Sequence, residues 1–184
     1  MVEMTGIGRG GRALDLCTGT GAVAAELARA AADRGFVVGL DFSRGMLQKA
    51  REKARRLELR NVFWVEADTG RLPFKDGFFD AVTCSHAMYE LKEETRHGVL
   101  IEAWRVLKET GRFCMMEHEI PRDILTRILF RIRILFMGSR GTWSFIQADT
   151  EPFMDVFARV RKEAATSEKS KVICGQKTRK RRSI

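Results

Sequence analysis

Short apolar stretches alternate along the chain with longer stretches whose apolar residues recur at helical spacing. Short apolar runs bounded by polar turn residues are typical of strands buried on both faces, and the longer periodic stretches are typical of helices. The predicted strands are Arg12–Cys17, Phe36–Asp41, Val62–Glu66, Asp80–Ser85, Arg112–Glu117, Phe157–Ala164 and Lys171–Gly175. The predicted helices are Ala22–Arg34, Ser43–Leu57, Lys92–Leu107 and Arg122–Met137, with Ser43 as an N-cap.

This rhythm predicts an α/β fold of the Rossmann-like, doubly wound type, with a mostly parallel seven-stranded sheet. The length of 184 residues suits one domain, which we place at residues 1–176, and 45% hydrophobic residues are enough for one buried core. No apolar run reaches the length of about 18 residues that a membrane-spanning helix needs, and the start of the chain has no apolar signal segment. We therefore expect a cytoplasmic protein.

The net charge of +9 comes from two short segments. Residues 1–120 carry 18 basic and 18 acidic side chains, whereas residues 121–140 carry a net charge of +4 and residues 177–184 a net charge of +5. A nucleic-acid-binding domain normally spreads its positive charge over one face, so this distribution argues against nucleic acid as a partner. We interpret residues 177–184 as a disordered basic tail, with binding of RNA or anionic lipid as the alternative.

The four cysteines, Cys17, Cys84, Cys114 and Cys174, lie far apart, each within an apolar run. Zinc ligands usually come as closely spaced pairs, so no metal site is predicted. We interpret all four as small buried apolar residues of a protein from a reducing compartment.

A glycine-rich loop, Asp15-Leu-Cys17-Thr-Gly19-Thr-Gly21, joins the first predicted strand to the first predicted helix. Glycines here permit a sharp turn and let a ligand approach the backbone, and the start of the helix offers free N–H groups. Asp41 ends the second strand, 20 residues after Gly21, where a carboxylate can accept hydrogen bonds from ribose hydroxyls. Asp68 follows the third strand and could accept from an adenine amino group. The pattern predicts a nucleoside ligand.

The segment Gly19-Thr-Gly21-Ala-Val-Ala24 also fits the fingerprint of dinucleotide-binding proteins. Three features argue against that interpretation. The loop begins with Asp15 where a dinucleotide loop usually begins with glycine, and Asp68 has no role in gripping a dinucleotide. In addition, 184 residues leave no room for a second, substrate-binding domain.

Four strings occur in a characteristic order over residues 12–120: ALDLCTGTG, VVGLDFSRGML, VEADTGRLPFKDGFFDAVTCSHAMYEL and EAWRVLKETGRF. Together they resemble the class I S-adenosylmethionine-dependent methyltransferases, and within that class the branch that methylates quinone precursors and similar small molecules. The loop departs from the usual D-x-G-x-G-x-G of this family at Cys17. The resemblance implies S-adenosyl-L-methionine as cofactor, S-adenosyl-L-homocysteine as product, and a small, lipophilic acceptor.

The resemblance also assigns roles to individual residues, with residues 12–120 as the cofactor half of the domain. The cofactor-binding residues it implies are Asp15, Cys17, Gly19 and Gly21 in the loop near the methionine part, Asp41 at the ribose with Phe42 and Met46 beside it, Ala67 and Asp68 at the adenine, and Ser85 near the sulfonium. Methyl transfer from a positively charged sulfur is an in-line displacement. The enzyme must therefore mainly hold the nucleophile close to the methyl group, and a dedicated base is optional.

Three residues are candidates for chemistry at the acceptor. His86 and Tyr89 follow the fourth predicted strand and His118 follows the fifth. All three thus lie at the carboxyl edge of the sheet, where ligands bind in such folds. A histidine there could serve as a general base. The alternative is that each makes only ordinary hydrogen bonds at the rim of the sheet.

The stretch Arg122–Met137 carries more apolar residues than one buried face needs. On a helical projection, Arg127 and Arg131 lie opposite the main apolar face, and Phe130, Ile134 and Met137 are extra apolar residues on the polar side. The main face consists of Ile124, Leu125, Ile128, Leu129, Ile132, Leu135 and Phe136. Two functions are open for residues 121–140: a lid over an apolar substrate, or a peripheral membrane contact. Packing against a neighbouring segment, or against a second subunit in a homodimer, is the alternative.

The first predicted strand begins near residue 12, whereas relatives of the resembled class usually carry a helical segment before it. We therefore expect a shortened N-terminal region, with an open site, a site covered by another chain, or a truncated start as alternatives. Two other functions stay open for the whole chain. One is a cofactor-binding protein of the same fold that has lost catalysis, and the other is an RNA methyltransferase guided by the basic tail.

Overall fold

The computed structural model describes residues 1–120, 123–137, 150–165 and 170–178. The strands in this part of the chain are β1 Arg12–Leu16, β2 Phe36–Asp41, β3 Val62–Glu66, β4 Phe79–Ser85, β5 Leu107–His118, β6 Ala158–Ala164 and β7 Ser170–Gln176. They form one sheet in the order β3-β2-β1-β4-β5-β7-β6, in which only β7 runs antiparallel to its neighbours. This topology confirms the predicted Rossmann-like, doubly wound α/β fold.

The helices cover the faces of the sheet and follow the predicted periodicity closely. They are α1 Val2–Thr5, α2 Ala22–Ala31, α3 Arg44–Arg56, α4 Glu93–Val106, α5 Ile124–Met137 and α6 Glu151–Met154, with one 3₁₀ turn at Met88–Glu90. Ser43 is the N-cap of α3, as predicted, because its Oγ accepts a hydrogen bond from the Met46 N–H at 3.4 Å. Helix α2 ends earlier than expected because Ala32 has a φ of 52° and a ψ of −167°, angles that cannot continue a helix.

Strand β5 begins at Leu107, five residues before the predicted start at Arg112. Leu107 leaves α4 with extended backbone angles and pairs with Phe79 of β4, but the next pair joins Ala81 to Arg112. The register shift between these pairs accommodates the polar segment that follows Leu107, in which Thr110 has a φ of 70°. Such an irregular strand start has no alternating pattern that sequence reasoning could find.

The main core lies where β4, β5 and β7 meet α4 and α6. Phe113 of β5 stacks on Phe153 with ring centroids 5.2 Å apart, and Phe157 lies 5.6 Å from Phe113. All three rings are at most 2% exposed. Burying a ring of this size contributes about 1.5–3 kcal/mol to the free energy of folding, so this cluster fixes the antiparallel end of the sheet against its parallel part.

Two of the four cysteines form a disulfide, which corrects the expectation that all four are unpaired. Strands β5 and β7 are antiparallel neighbours, and their register places Cys114 directly opposite Cys174. The two residues are 60 positions apart in the sequence, so only the strand order reveals the pairing. Cys17 and Cys84 are free thiols, and Cys84 is completely buried.

Helix α5 packs through the side that carries Phe130, and its main apolar face is exposed. The residues of the predicted main apolar face remain exposed at 48–72%, as seen for Ile124, Leu125, Ile128, Leu129 and Ile132. Phe130, which was expected to be superfluous for packing, instead packs against the main core. The side chains of Ile134, Leu135, Phe136 and Met137 lie outside the described residues. A helical projection defines the faces of a helix but not which face packs against the rest of the protein. Here the narrower face, which carries Phe130, packs against the core.

The segment interpreted as a basic tail starts with an anchored residue. Lys177 is 9% exposed, and its Nζ donates to the Leu107 carbonyl oxygen at 2.6 Å. The ammonium group also lies 4.1 Å from the centroid of the Trp104 ring, a cation–π distance. Lys177 therefore packs on the domain, whereas residues 179–184 lie outside the described residues.

Candidate active site

A cavity of about 800 Å³ opens at the carboxyl ends of β1, β2 and β4. The strand order reverses here, because β1 is followed in the chain by β2 on one side and lies beside β4 on the other. The loops after these strands diverge at such a switch point and leave a crevice, which is where ligands bind in doubly wound folds. The cavity therefore lies where the sequence predicts it.

The glycine-rich loop forms one wall of the cavity through unusual backbone conformations. Cys17, Gly19 and Gly21 all have positive φ, at 50°, 53° and 74°. The Thr18 N–H donates to the Leu40 carbonyl oxygen of β2 at 3.0 Å, which ties the loop to the neighbouring strand. Cys17 carries the cost of a left-handed conformation in a residue with a side chain, a strain typical of functional loops.

Gly21 is required for close packing behind the loop. A Cβ atom on Gly21 would lie 2.7 Å from the Trp64 ring and 3.0 Å from Ala50 Cβ, so helix α2 approaches β3 and α3 only because this side chain is absent. Gly21 does not appear among the residues that line the cavity in the described part of the chain, unlike Gly19. The predicted ligand contact of Gly21 therefore stays a prediction.

Asp15 lies beneath the loop and is 1% exposed. Its two carboxylate oxygens accept hydrogen bonds from Thr18 Oγ1 at 2.5 Å and Thr83 Oγ1 at 2.7 Å. Burial raises the pKa of Asp15 to about 6, although both hydroxyl bonds oppose this shift. Asp15 thus shapes the loop from below while one side of it borders the cavity.

Asp41 lies at the end of β2 and is 6% exposed. Its Oδ2 accepts from the Gly19 N–H at 2.8 Å and its Oδ1 from the Ser43 N–H at 2.9 Å. A carboxylate can accept about four hydrogen bonds, so two acceptor positions remain for a ligand. The residue therefore joins the glycine-rich loop to the start of α3 and presents its remaining capacity to the cavity.

Apolar side chains flank Asp41 at the mouth of the cavity. Phe42 is 81% exposed and Met46 is 40% exposed, an arrangement in which a flat aromatic ligand could bury both. Asp68 Oδ1 accepts from the Gly70 N–H at 2.7 Å, which fixes the loop after β3. Nine of the ten predicted cofactor residues line the cavity: Asp15, Cys17, Gly19, Asp41, Phe42, Met46, Ala67, Asp68 and Ser85.

The three predicted catalytic residues form one aromatic cluster beside the cavity. The rings of His86 and His118 are 4.7 Å apart, and the Tyr89 ring lies 5.2 Å from His118. Phe130 of α5 completes the cluster at 5.8 Å from His118. His86 also lines the cavity, so the cluster is continuous with it.

His86 occupies a strained and partly desolvated position. Its φ is 51°, and its backbone N–H donates to the Met116 carbonyl oxygen of β5 at 2.8 Å. Burial lowers the pKa of His86 from its ordinary value, so the neutral imidazole predominates near pH 7. Its Nδ1 is buried and has no hydrogen-bond partner within the described part of the chain.

Sequence reasoning missed several residues of this site. Thr18, Glu90, Leu91 and Thr95 also line the cavity; Glu90 and Leu91 lie between β4 and α4, and Thr95 lies in the first turn of α4. Glu117 ends the predicted strand Arg112–Glu117, yet it is 2% exposed and lies directly before His118. An acidic residue at the end of an otherwise apolar strand was the available signal.

The comparisons with known proteins agree with this geometry. Residues 13–111 match a protein family described as "Methyltransferase domain". The chain belongs to this family. Among curated proteins, it is 37% identical over 121 residues to the ubiquinone/menaquinone biosynthesis C-methyltransferase UbiE of Yersinia pestis, which covers 65% of this chain and 47% of that protein. The chain thus spans about half the length of the curated relatives it matches.

Solved structures of low sequence identity share the fold. A SAM-dependent methyltransferase from Aquifex aeolicus superposes with a TM-score of 0.71 at 19% identity, covering 95% of this chain and 86% of that one. The [4+2]-cyclase SpnF superposes with a TM-score of 0.64 at 19% identity, covering 96% of this chain and 79% of that one. The family confirms the resemblance found in the sequence, and with it S-adenosyl-L-methionine as the cofactor.

The residues around the cavity fit that cofactor. A volume of about 800 Å³ lies within the range of ligand pockets, which is roughly 300–1,000 Å³. Asp41 has acceptor capacity for hydroxyl groups, and Phe42 and Met46 offer apolar surface to a nucleobase. The carboxylates of Asp15, Asp41 and Asp68 make the wall suitable for a ligand that carries a positively charged sulfur.

Proposed function

We propose that the protein transfers a methyl group from S-adenosyl-L-methionine to a small, lipophilic acceptor that resembles a quinone precursor. The observation that carries this proposal is the continuity of the cofactor cavity with the aromatic cluster at His86. The curated relatives named for ubiquinone and menaquinone biosynthesis support the acceptor class. A reactive methyl group and an aromatic acceptor would then meet at one edge of the sheet.

The residues of this chain would have two tasks, binding the cofactor and holding the acceptor. Asp41 would hold the ribose, while Phe42, Met46, Ala67 and Asp68 would enclose the adenine and the glycine-rich loop would border the methionine part. The bound cofactor supplies a methyl group on a positively charged sulfur. Holding the acceptor in line with that methyl group accounts for most of the acceleration expected in such a transfer.

His86 and His118 are suited to accept a proton from a hydroxylated acceptor. The lowered pKa of His86 keeps its imidazole neutral near pH 7, and a neutral imidazole can act as a base. The rings of Tyr89 and Phe130 would pack against an aromatic acceptor beside His118. These assignments rest on proximity to the cavity and on the chemistry of the side chains.

Helix α5 would bring the protein to the surface of a membrane that holds the acceptor. Its exposed apolar face includes Ile128 and Leu129, and the side chains of Arg127 and Arg131 are also exposed and suit anionic headgroups. Within the described residues, no helix has both the length and the apolar character needed to cross a bilayer. A peripheral contact therefore suits this face, and burial in a homodimer is the competing outcome.

The direct test is transfer of isotopically labelled methyl from S-adenosyl-L-methionine to demethylated quinol precursors, measured together with calorimetric binding of S-adenosyl-L-homocysteine. We expect both binding and labelled product. Binding without transfer to any acceptor would favour a cofactor-binding protein, and the [4+2]-cyclase among the structural neighbours illustrates that this fold also serves other reactions. Transfer to RNA in place of the quinols would contradict the proposed acceptor.

A further inference from the structure

The 3₁₀ turn Met88–Glu90 connects the cofactor cavity to the aromatic cluster. Tyr89 belongs to the cluster through its ring, and Glu90 lines the cavity. The turn has little regular structure of its own, since the Glu90 N–H donates to the Ala87 carbonyl oxygen at 3.0 Å and the Leu91 N–H to the Met88 carbonyl oxygen at 3.2 Å. Its position must therefore depend on the elements around it.

Two buried ionisable residues hold the main chain of this turn from different elements. Arg96 of α4 is 5% exposed, and its guanidinium donates from Nε to the Met88 carbonyl oxygen at 2.9 Å and from Nη2 to the Tyr89 carbonyl oxygen at 3.4 Å. Glu117 of β5 is 2% exposed, and its Oε1 accepts from the Met88 N–H at 3.0 Å. Met88 is thus bound through both its carbonyl oxygen and its N–H.

Burying these two groups costs free energy, so the contacts they make need a reason. A buried arginine or glutamate is rare unless its polar atoms are satisfied. Here the second carboxylate oxygen of Glu117 has no hydrogen-bond partner in the described residues, so Glu117 is kept at a cost. Neither Arg96 nor Glu117 is among the described residues that line the cavity, so direct ligand contact does not explain them.

We propose that Arg96 and Glu117 are positioning residues that clamp the turn Met88–Glu90 and thereby set the geometry of Tyr89 and His86 against His118. The part of this inference that concerns acceptor turnover rests on the proposed function. The clamp itself does not, because it predicts the arrangement of the aromatic cluster in the absence of any acceptor.

The hydrogen bonds of Arg96 and Glu117 indicate which variants should preserve the clamp and which should remove it. Burial raises the pKa of Glu117 to about 8, so the neutral carboxyl predominates at pH 7 although Lys171 acts in the opposite direction. The Met88 N–H requires only an acceptor, which a glutamine also provides. Glu117→Gln should therefore preserve the clamp and Glu117→Leu should remove it, while Arg96→Gln removes the paired donation to the two carbonyl oxygens.

A matched control exists elsewhere in the chain. Arg105 also donates to main-chain carbonyl oxygens, those of Phe74 at 2.7 Å and Leu72 at 3.0 Å, and so holds the loop between β3 and β4. Arg105→Gln should lower stability in the same way as Arg96→Gln without touching the turn. The comparison separates positioning of the cluster from a general loss of packing.

The test is imidazole NMR with a pH titration, supported by cofactor binding and methyl transfer. The chain has only three histidines, so His97, which is exposed on α4, serves as an internal reference for His86 and His118. We expect Glu117→Leu and Arg96→Gln to shift the resonances and titration midpoints of His86 and His118 but not those of His97. Glu117→Gln and Arg105→Gln should leave all three close to the wild type.

With a quinol precursor as acceptor, Glu117→Leu should lower turnover at least tenfold while the affinity for S-adenosyl-L-homocysteine stays within twofold. If Glu117→Leu does not fold, Arg96→Gln against Arg105→Gln carries the same comparison. Unchanged imidazole titrations in the clamp variants, or equal shifts in the Arg105 variant, would overturn the inference. Absence of methyl transfer in the wild type would instead overturn the proposed function, while the imidazole readout would still decide on the clamp.

Discussion

The two sides of the cavity are built in different ways. On the cofactor side, Asp41 binds Gly19 and Ser43 through backbone N–H groups, so the contacts come from turns directly after two adjacent strands. On the acceptor side, His86 follows β4, His118 ends β5 and Phe130 lies in α5, and their rings come together in one cluster. The cofactor side is thus a property of local chain segments, whereas the acceptor side is a property of the assembled fold.

This difference has a chemical counterpart. The cofactor side offers carboxylates and a loop in which several residues have positive φ. These groups suit hydroxyl groups and a positive charge in a fixed geometry. The acceptor side offers neutral aromatic rings next to an exposed apolar helix, which suit a ligand defined mainly by shape and hydrophobicity. Changes on the two sides should therefore affect two separate measurements: cofactor affinity on one side and turnover on the other.

The largest expected effect is on the acceptor side, for His118→Ala. Loss of a general base and of the ring that contacts His86, Tyr89 and Phe130 should lower turnover about 10²–10⁴-fold. The affinity for S-adenosyl-L-homocysteine, measured by calorimetry, should stay within twofold. His97→Ala is the control, because His97 is exposed on α4 away from the cluster. Turnover equal to the wild type in His118→Ala would remove His118 from the reaction.

The next effect belongs to the cofactor side, for Asp41→Ala. Each charge-assisted hydrogen bond contributes about 1.5–3 kcal/mol, so losing the acceptor for two ribose hydroxyls should weaken cofactor binding at least about 100-fold. The loop also loses the acceptor of the Gly19 N–H. Asp33→Ala, which removes an exposed acid at the end of α2, should leave the affinity unchanged. Unaltered affinity in a folded Asp41→Ala variant would refute the ribose assignment.

The sequence was informative on the cofactor side for a physical reason. Gly19, Asp41 and Asp68 lie at the ends of strands whose boundaries follow from local hydrophobic patterns, and a parallel sheet brings strand ends together. The orientation of α5 could not be predicted, because its pattern does not specify whether Phe130 or the wider apolar face meets the core. The Cys114–Cys174 pairing depends on the insertion of β7 between β5 and β6, which no local pattern encodes.

One buried carboxyl lies on each side of the cavity: Asp15 on the cofactor side and Glu117 on the acceptor side. Burial raises the pKa of Asp15 to about 6 and that of Glu117 to about 8. Each therefore keeps a proton in the folded protein that the unfolded chain releases near pH 4, so the free energy of unfolding falls as pH rises through this range, by about 1.4 kcal/mol per pH unit for each group.

Between pH 6 and 8 Glu117 should lower the free energy of unfolding by about 2 kcal/mol. The lowered pKa of His86 acts in the opposite direction, equally in the wild type and in the variant. Denaturant unfolding of Glu117→Gln should therefore show a flatter pH dependence than the wild type over this window, with the decline between pH 4 and 6 retained because Asp15 is unchanged. Identical curves for the two proteins above pH 6 would contradict the assignment to Glu117.

The smallest expected effect lies on the outer surface of the acceptor side. Ile128 and Leu129 are 52% and 59% exposed, so replacing both with serine removes little packing and should leave the melting temperature unchanged. Each side chain is already half exposed, and its insertion into lipid would contribute about 1 kcal/mol, roughly half of full burial. The double variant should thus bind vesicles of phosphatidylcholine and phosphatidylglycerol about tenfold or more weakly, with cofactor affinity intact.

Phe130→Ser should behave differently, because Phe130 packs against the core and His118. The melting temperature and the turnover of this variant should both fall. A lower melting temperature in the Ile128/Leu129 variant, or a shift from dimer to monomer in sedimentation, would assign the exposed face to protein contacts in place of a membrane.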